Sequence, residues 1–414
     1  MKLIYNIFIW LYPLVARLIS EKNEKAKLWV EGRKDIFEKL EIAFKNNTSE
    51  VIWIHCSSLG EFEQGRPVIE ELKERNASAK ILLTFFSPSG YEIRKNYKGA
   101  DWIFYLPMDS KKNALRFFQI VNPTLILFVK YEFWFYYLQQ AKLQNINTIL
   151  ISGVFRRSQP FFKWYGNFNR KTLHFFSWLF VQNNDSIELL KKINIENNVT
   201  LSGDTRFDRV ITIANQFEPI QMIEKFIGNC KKVVVAGSTW LEDDEVLHHY
   251  TITHLDIKFI IAPHDIQQSR IDECKKLYPK AITYSDLKKC IESDEIKTNV
   301  LIIDNIGLLS KLYYYATIGF IGGGFGGDGV HNVLEAAVYD KPVVFGEEFS
   351  KYREAIELVE KEGAFSVINT LELEIVFDKL FSNTQFCNNA SKAAGDYVKN
   401  NAGATNIILD YLKY

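Results

Sequence analysis

The feature that most constrains this chain is a repeated alternation of short apolar runs with stretches of helical periodicity. In the first half the runs are VIWIHCSS (51–58), KILLTFFS (80–87), TLILFV (124–129), NTILISG (147–153) and WLFVQ (178–182). In the second half they are KKVVVAGS (231–238), KFIIAPH (258–264), NVLIID (299–304), ATIGFIGG (316–323) and KPVVFG (341–346). Helical patterns lie between them, for example over 63–75 and 111–121. Continuous apolar runs are strands buried on both faces. Strands alternating with helices give parallel sheets covered on both sides. The pattern restarts after FEPIQMIEKFIGN (217–229), so a boundary is expected near residue 215. A chain of 414 residues is also too long for one ordinary core. The expected organisation is an N-terminal segment 1–20, a Rossmann-like domain 21–215, a second Rossmann-like domain 216–390 and a helical segment 391–414 that breaks at Ala402-Gly403. Two doubly wound domains in tandem place a cleft between their strand ends, and ligands bind there.

Charge and cysteine usage exclude several classes. Fifty basic and fifty acidic residues cancel, so no global field attracts nucleic acid. Five scattered cysteines, none in C-x-x-C, argue against a disulfide framework or a zinc site. No set of His, Cys and acids has metal-ligand spacing, and neither metal nor cofactor is expected. LIYNIFIWLYPLVA (3–16) is nearly all apolar but short of the roughly 20 residues that span a bilayer. It shows no convincing cleavage site. Tyr5, Trp10 and Tyr12 favour a helix anchored at a membrane interface over a buried core helix.

GFIGGGFGGDGVHNVLEAA (319–337) packs seven glycines into eleven positions. Gly324, Gly326 and Gly329 satisfy G-x-G-x-x-G, but the stretch follows what reads as the fourth strand of its domain, with about one more to come. A dinucleotide fingerprint belongs after the first strand. The simpler reading lets a ligand approach bare backbone and offers the next helix N-terminus to a phosphate. Asn332 and Glu335 also have capping-box spacing, and His331, Asn332 and Glu335 together suit a nucleotide.

HCSSLGEFEQGRP (55–67) is the matching loop of the first half. Glu61 there is either a general base favoured by the helix dipole or an ordinary N-terminal acid. From Phe133 to Asn184 there is no Asp or Glu, while Arg156, Arg157, Lys163, Arg170 and Lys171 accompany 15 aromatic residues, Trp164 among them. Some rings, such as Phe175, Phe176 and Trp178, belong to the core. The others suit an anionic amphiphile, with single-stranded nucleic acid as the competing ligand; the apolar N-terminus favours lipid. In SGDTRFDRV (202–210), Arg206 forms a structural ion pair or serves a cleft. In GSTWLEDDE (237–245) the turn could hold phosphate, and Glu242 to Glu245 read as a solvated helix start. His264 is a cleft residue or a plain turn histidine.

HCSSLGEFEQGRPVIEEL, VNPTLILFVKYEFW, SGDTRFD, AGSTW and GVHNVLEAAVYDKPVVFGEEFSKYREAIEL resemble, in order, the motifs of 3-deoxy-D-manno-octulosonic acid (Kdo) transferases. The resemblance covers nearly the whole chain. It implies the glycosyltransferase-B architecture, two Rossmann-like domains facing a cleft, with a membrane-associated N-terminal helix. It implies inverting transfer of Kdo from CMP-Kdo to a lipid A precursor (lipid IVA) in lipopolysaccharide biosynthesis, at the cytoplasmic face of the bacterial inner membrane. Glu61 would be the base, Arg206 a transition-state stabiliser and Glu132 a supporting residue. CMP contacts would fall at Pro263 and His264, at Ile306, Gly307 and Leu308, and at Asn332, Val333, Leu334 and Glu335. The chain departs from the family at Lys130-Tyr131-Glu132-Phe133-Trp134-Phe135, where E-T-E-[LI]-W-P-N is common, and at Pro263-His264-Asp265-Ile266, where P-R-H-P-E-R is common. Alternatives are a transferase using a UDP-sugar and a lipid, a dinucleotide oxidoreductase, and a non-catalytic protein that binds anionic lipid.

Overall fold

A computed structural model describes residues 1–289, 296–327 and 329–414; Cys290 lies outside the described residues. The chain divides into two compact units, Met1–Asp208 with Ala402–Tyr414, and Arg209–Asn401. Each contains one parallel seven-stranded sheet among its described residues.

The first sheet comprises β1 (Val51–Cys56), β2 (Lys80–Phe85), β3 (Trp102–Tyr105), β4 (Leu125–Val129), β5 (Asn147–Gly153), β6 (Trp178–Val181) and β7 (Val199–Leu201), in the order β3-β2-β1-β4-β5-β6-β7. All six residues of β1 are buried. Period-2 alternation sends Trp53 to one face, with Leu82, Ile126 and Phe128, and Ile52 and Ile54 to the other, with Leu83 and Leu127. The helices Leu59–Arg75 and Lys111–Val121 realise the expected helical stretches. β3 and β7 escaped the sequence pattern because edge strands are short and half-covered, so they carry no continuous apolar run.

The second sheet comprises β8 (Val233–Thr239), β9 (Lys258–Pro263), β10 (Ile282–Thr283), β11 (Val300–Ile302), β12 (Ile318–Ile321), β13 (Val343–Gly346) and β14 (Ala364–Val367), in the order β10-β11-β9-β8-β12-β13-β14. β10 and β14, both edges, were again not expected. The glycine stretch therefore follows the fifth strand of its unit, with two still to come.

The C-terminal segment does not stand as one piece. Helix Thr384–Asn400 belongs to the second unit and helix Ala404–Leu412 to the first. Burial explains the return: Ile408 and Leu409 are fully buried in the core face that holds Ile52 and Ile54. The Asp208 carboxylate accepts hydrogen bonds from the Gly403 and Thr405 amides. Arg75 holds Asp410 at 3.1 Å.

Helix Lys2–Ile19 packs one stripe on the first unit. Ile9 and Ala16 are buried, the Tyr5 ring meets Phe135 and Phe168, and Tyr12 meets Trp29 and Phe86. Its other sides are exposed and apolar, Leu3, Trp10 and Leu18 being 72%, 69% and 80% exposed.

Candidate functional site

In the first sheet the strand order turns back between β1 and β4; in the second it turns back between β8 and β12. Such reversals open a crevice at the carboxyl ends of the strands. Glu61 and Glu132 lie at the first of these points, and the turn after β8 and the glycine stretch after β12 at the second; Arg206 follows β7, Pro263 and His264 end β9, and Ile306, Gly307 and Leu308 follow β11.

After β1, Ser58 precedes the helix Leu59–Arg75, and Glu61 closes a capping box with it. Glu61 Oε2 accepts from the Ser58 amide at 3.1 Å, and the Ser58 hydroxyl donates to the same oxygen. Glu61 is thus the N-terminal acid of its helix, and one carboxylate oxygen is committed to that task.

After β4, Lys130 adopts a left-handed backbone (φ 65°), uncommon for a residue with a side chain. Glu132 follows and is buried. Its Oε2 lies 3.0 Å from Nε2 of the fully buried His55 and accepts from the Trp134 indole N–H. His55 Nδ1 sits 2.9 Å from Thr84 Oγ1, which accepts the Trp53 indole N–H at 2.8 Å. This chain of polar groups crosses the ends of β1, β2 and β4. Burying a carboxylate requires such partners. Burial pushes the Cys56 thiol well up, and Glu61 and Glu132 add to the push. Burial also raises the Tyr131 hydroxyl, with Arg156 opposing and Glu61 reinforcing. Sequence reading missed His55, Tyr131 and Trp134; the only signal was their position at strand ends.

Arg206 lies in the first turn of the helix Thr205–Asn215, and its Nη2 pairs with Asp204 at 2.7 Å. The ion pair is present in this structure.

Most of the acid-free aromatic stretch is core. Phe133, Phe135, Phe155, Phe161, Phe168 and Phe176 belong to one cluster, whereas Trp164 and Tyr165 are exposed, at 92% and 42%. Arg156, Arg157 and Lys171 are exposed and Lys163 partly so. Arg170 departs from the expected cationic surface: its Nη1 donates to the carbonyls of Phe161 and Lys163 at 2.9 and 3.0 Å and pins the loop.

In the second unit, Trp240 after β8, His264 after β9 and His331 beyond the glycine stretch form one stack. Ring centroids lie 4.5 Å apart for Trp240 and His264 and 4.6 Å for His264 and His331. The Trp240 indole donates to His331 Nε2 at 3.2 Å. Of the acidic helix start, Glu242 and Glu245 are exposed as expected, whereas Asp243 and Asp244 are fully buried. Asp243 Oδ2 accepts the amides of Trp240 and Gly323, both at 2.8 Å, and so ties the loop after β8 to the glycine stretch. Burial raises its carboxyl to about 6.

The glycines serve the protein's own backbone first. A Cβ on Gly322 would meet Ser238 O at 2.4 Å and one on Gly324 would meet Gly346 N at 2.5 Å, whereas Gly326 and Gly327 face open space. Those two positions leave room for a ligand. The following helix, Leu334–Ala337, is a single turn with Val333 as N-cap. It is too short for the expected phosphate-binding dipole, and the expected capping box does not form. Asn332 Nδ2 instead donates to Glu335 at 3.0 Å. The Val333 and Leu334 side chains are fully buried, so any ligand contact there is through backbone. Pro263 is buried at the end of β9, while Ile306 and Gly307 are exposed in the loop after β11, beside Leu308.

Residues 34–209 match the family described as 3-Deoxy-D-manno-octulosonic-acid transferase (kdotransferase). The chain is 27% identical over 343 residues to the 3-deoxy-D-manno-octulosonic acid transferase of Aquifex aeolicus, covering 81% of this chain and 87% of that one. It is 23% identical over 373 residues to the enzyme of the same name from Haemophilus influenzae, covering 87% and 86%. It is 28% identical over 339 residues to a bifunctional glycosyltransferase/methyltransferase of Fusobacterium nucleatum, covering 78% of this chain but only about half (51%) of that relative's length. Among solved structures it resembles the UDP-GlcNAc 2-epimerase of Neisseria meningitidis (TM-score 0.62, 18% identity, 88% of this chain and 100% of that one). It also resembles a glycosyltransferase of Rickettsia africae (TM-score 0.55, 16% identity, 89% and 98%). These structural likenesses concern the fold, the two-sheet glycosyltransferase-B architecture. The sequence matches reach further: the family model and the Aquifex and Haemophilus relatives alike are 3-deoxy-D-manno-octulosonic acid (Kdo) transferases, and the chain is similar to those two relatives over most of its length.

Proposed function

We propose that this chain transfers Kdo from CMP-Kdo to a lipid A precursor, lipid IVA, with inversion at the anomeric carbon. The observation that carries the reading is the pair of carboxylates at the reversal of the first sheet: Glu61 on the β1 loop and the buried Glu132 on the β4 loop. A sugar hydroxyl attacking the anomeric carbon must lose its proton. With Oε2 of Glu61 committed to Ser58, Oε1 takes that proton. Glu132, held by His55 and Trp134, orients the acceptor. The cytidine phosphate belongs to the second unit, on the Trp240–His264–His331 stack, the open glycines Gly326 and Gly327, and the segments around Leu308 and Asn332. Arg206 supplies positive charge to the departing phosphate in exchange for its contact with Asp204.

The exposed apolar side of helix Lys2–Ile19 meets the cytoplasmic surface of the inner membrane. Eighteen residues reach about 27 Å, less than a hydrocarbon core. One stripe of the helix is already packed on protein, which suits a helix lying in the interface. Arg156, Arg157, Lys163, Trp164 and Lys171 add cations and a ring suited to phosphorylated lipid.

The test is incubation of the protein with CMP-Kdo and tetraacylated lipid A precursor, reading product mass. A mass increase of one or more Kdo units supports the reading. Transfer from a UDP-sugar but not from CMP-Kdo, or binding to lipid without any transfer, would replace it.

A further inference from the structure

Helix Lys2–Ile19 is a ridge on the first unit, and along one flank runs a cavity of about 280 Å³. Its walls are Tyr12, Val15 and Ile19 from that helix, Ala26 and Trp29 from helix Glu24–Gly32, and Phe86 after β2. Two observations give this cavity an occupant. First, its outer lip is continuous with the apolar helix side: Val15 and Ile19 line it and are 43% and 47% exposed. Second, its inner wall belongs to the support of both candidate carboxylates. The Phe86 and Ser87 amides donate to the Ser57 carbonyl at 3.2 and 2.7 Å, one residue before the Ser58 that holds Glu61. The Phe86 ring lies 4.7 Å from that of Trp134, whose indole N–H reaches Glu132. A slot that opens on the membrane-facing helix and ends against the loops of the proposed catalytic groups suits a molecule with a hydrocarbon tail and a reacting sugar head.

We infer that this cavity takes one acyl chain of the lipid acceptor and so sets the distance of its sugar hydroxyl from Glu61. The inference rests on the transferase reading above. Lys25, at the cavity, adds a cation for an acceptor phosphate.

Two variants of the full chain test it. Val15→Trp fills the slot from a half-exposed position, and Ala26→Leu fills it from the floor. Each is assayed with CMP-Kdo and either the tetraacylated, bisphosphorylated glucosamine disaccharide or its fully deacylated counterpart, in detergent solution. Binding of the tetraacylated acceptor is measured separately by calorimetry. In both variants KM and Kd for the tetraacylated acceptor should rise about tenfold, equivalent to roughly two methylenes no longer buried. The KM for CMP-Kdo and the kinetics of the deacylated acceptor should stay unchanged, which also shows that the variants fold. Unchanged acceptor affinity in both variants overturns the inference. So does an equal loss for both acceptors, or a loss confined to binding of lipid vesicles, which would make the slot a seat for bilayer lipid. If the wild-type chain transfers nothing yet binds the tetraacylated disaccharide more tightly than the filled variants, the cavity assignment stands and the transferase reading falls.

Discussion

At the scale of single residues, Glu61 carries two tasks that a substitution can separate. Glutamine still accepts the Ser58 amide, as capping boxes allow, but takes no proton. Glu61→Gln should therefore leave thermal stability and CMP affinity near wild type and lower turnover at least about 100-fold. Single-turnover assays beside CMP titration would show it, and near-normal turnover would remove Glu61 as the base. His55 is the residue that sequence reading passed over, because a histidine inside an apolar strand looks like core. Its meaning comes from Glu132, 77 positions away in the chain. His55→Leu leaves the buried Glu132 without its imidazole partner, with only the Trp134 indole still donating to Oε2, and should cost about 1–3 kcal/mol of stability, read by chemical denaturation. His55→Gln, which restores a donor, should recover a large part of stability and turnover; equal loss in both variants would mean that the imidazole itself is needed.

At the scale of elements, the glycine stretch divides into glycines that pack and glycines that open. Gly322→Ala would press on the backbone of Ser238 and Thr239 and should shift the Trp240 loop, weakening both stability and CMP binding. A Cβ on Gly326 meets nothing within 4 Å. Gly326→Ala should therefore keep the melting temperature and weaken CMP binding alone; unchanged CMP affinity would take the ligand away from that turn. A second junction joins helix Lys2–Ile19 to helix Phe135–Leu143. Asp109 accepts the Tyr136 and Tyr137 amides at 2.9 and 3.0 Å and the Tyr5 hydroxyl, and burial raises its carboxyl to about 6. The folded chain binds this proton more tightly than the unfolded one. The associated stability is fully present below the ordinary carboxylate value near 3.8 and is lost as pH rises through about 6. It amounts to about 3 kcal/mol. Asp109→Asn should remove that dependence, so the difference in melting temperature between wild type and variant should change between pH 4 and 7. A constant difference would show that Asp109 does not titrate there.

At the scale of the whole molecule, the two units do not follow the chain in order, since the last helix returns to the first. Removing residues 402–414 should expose the core face around Ile52 and Ile54 and lower the melting of the first unit while the second keeps its own transition, a split that calorimetry would resolve. Two parallel sheets, their central strands, and the loops bearing Glu61, Glu132, His264 and the glycines were legible in the sequence. Buried parallel strands are apolar throughout, and one-dimensional patterns record burial on both faces. Edge strands β3, β7, β10 and β14 were not legible, because a half-covered strand has no such run. Nor was the burial of Asp243 and Asp244, which read as solvent-facing acids. The sequence by itself determined which segments are inner strands and which of their ends carry chemistry-bearing residues, because both depend on neighbours a few positions apart. Only the tertiary structure decided that His55 meets Glu132, that Asp243 ties two loops together, that Arg170 serves the backbone and that the final helix closes the first core. Each of these depends on groups distant in sequence exchanging water for one another, and no local pattern encodes that exchange.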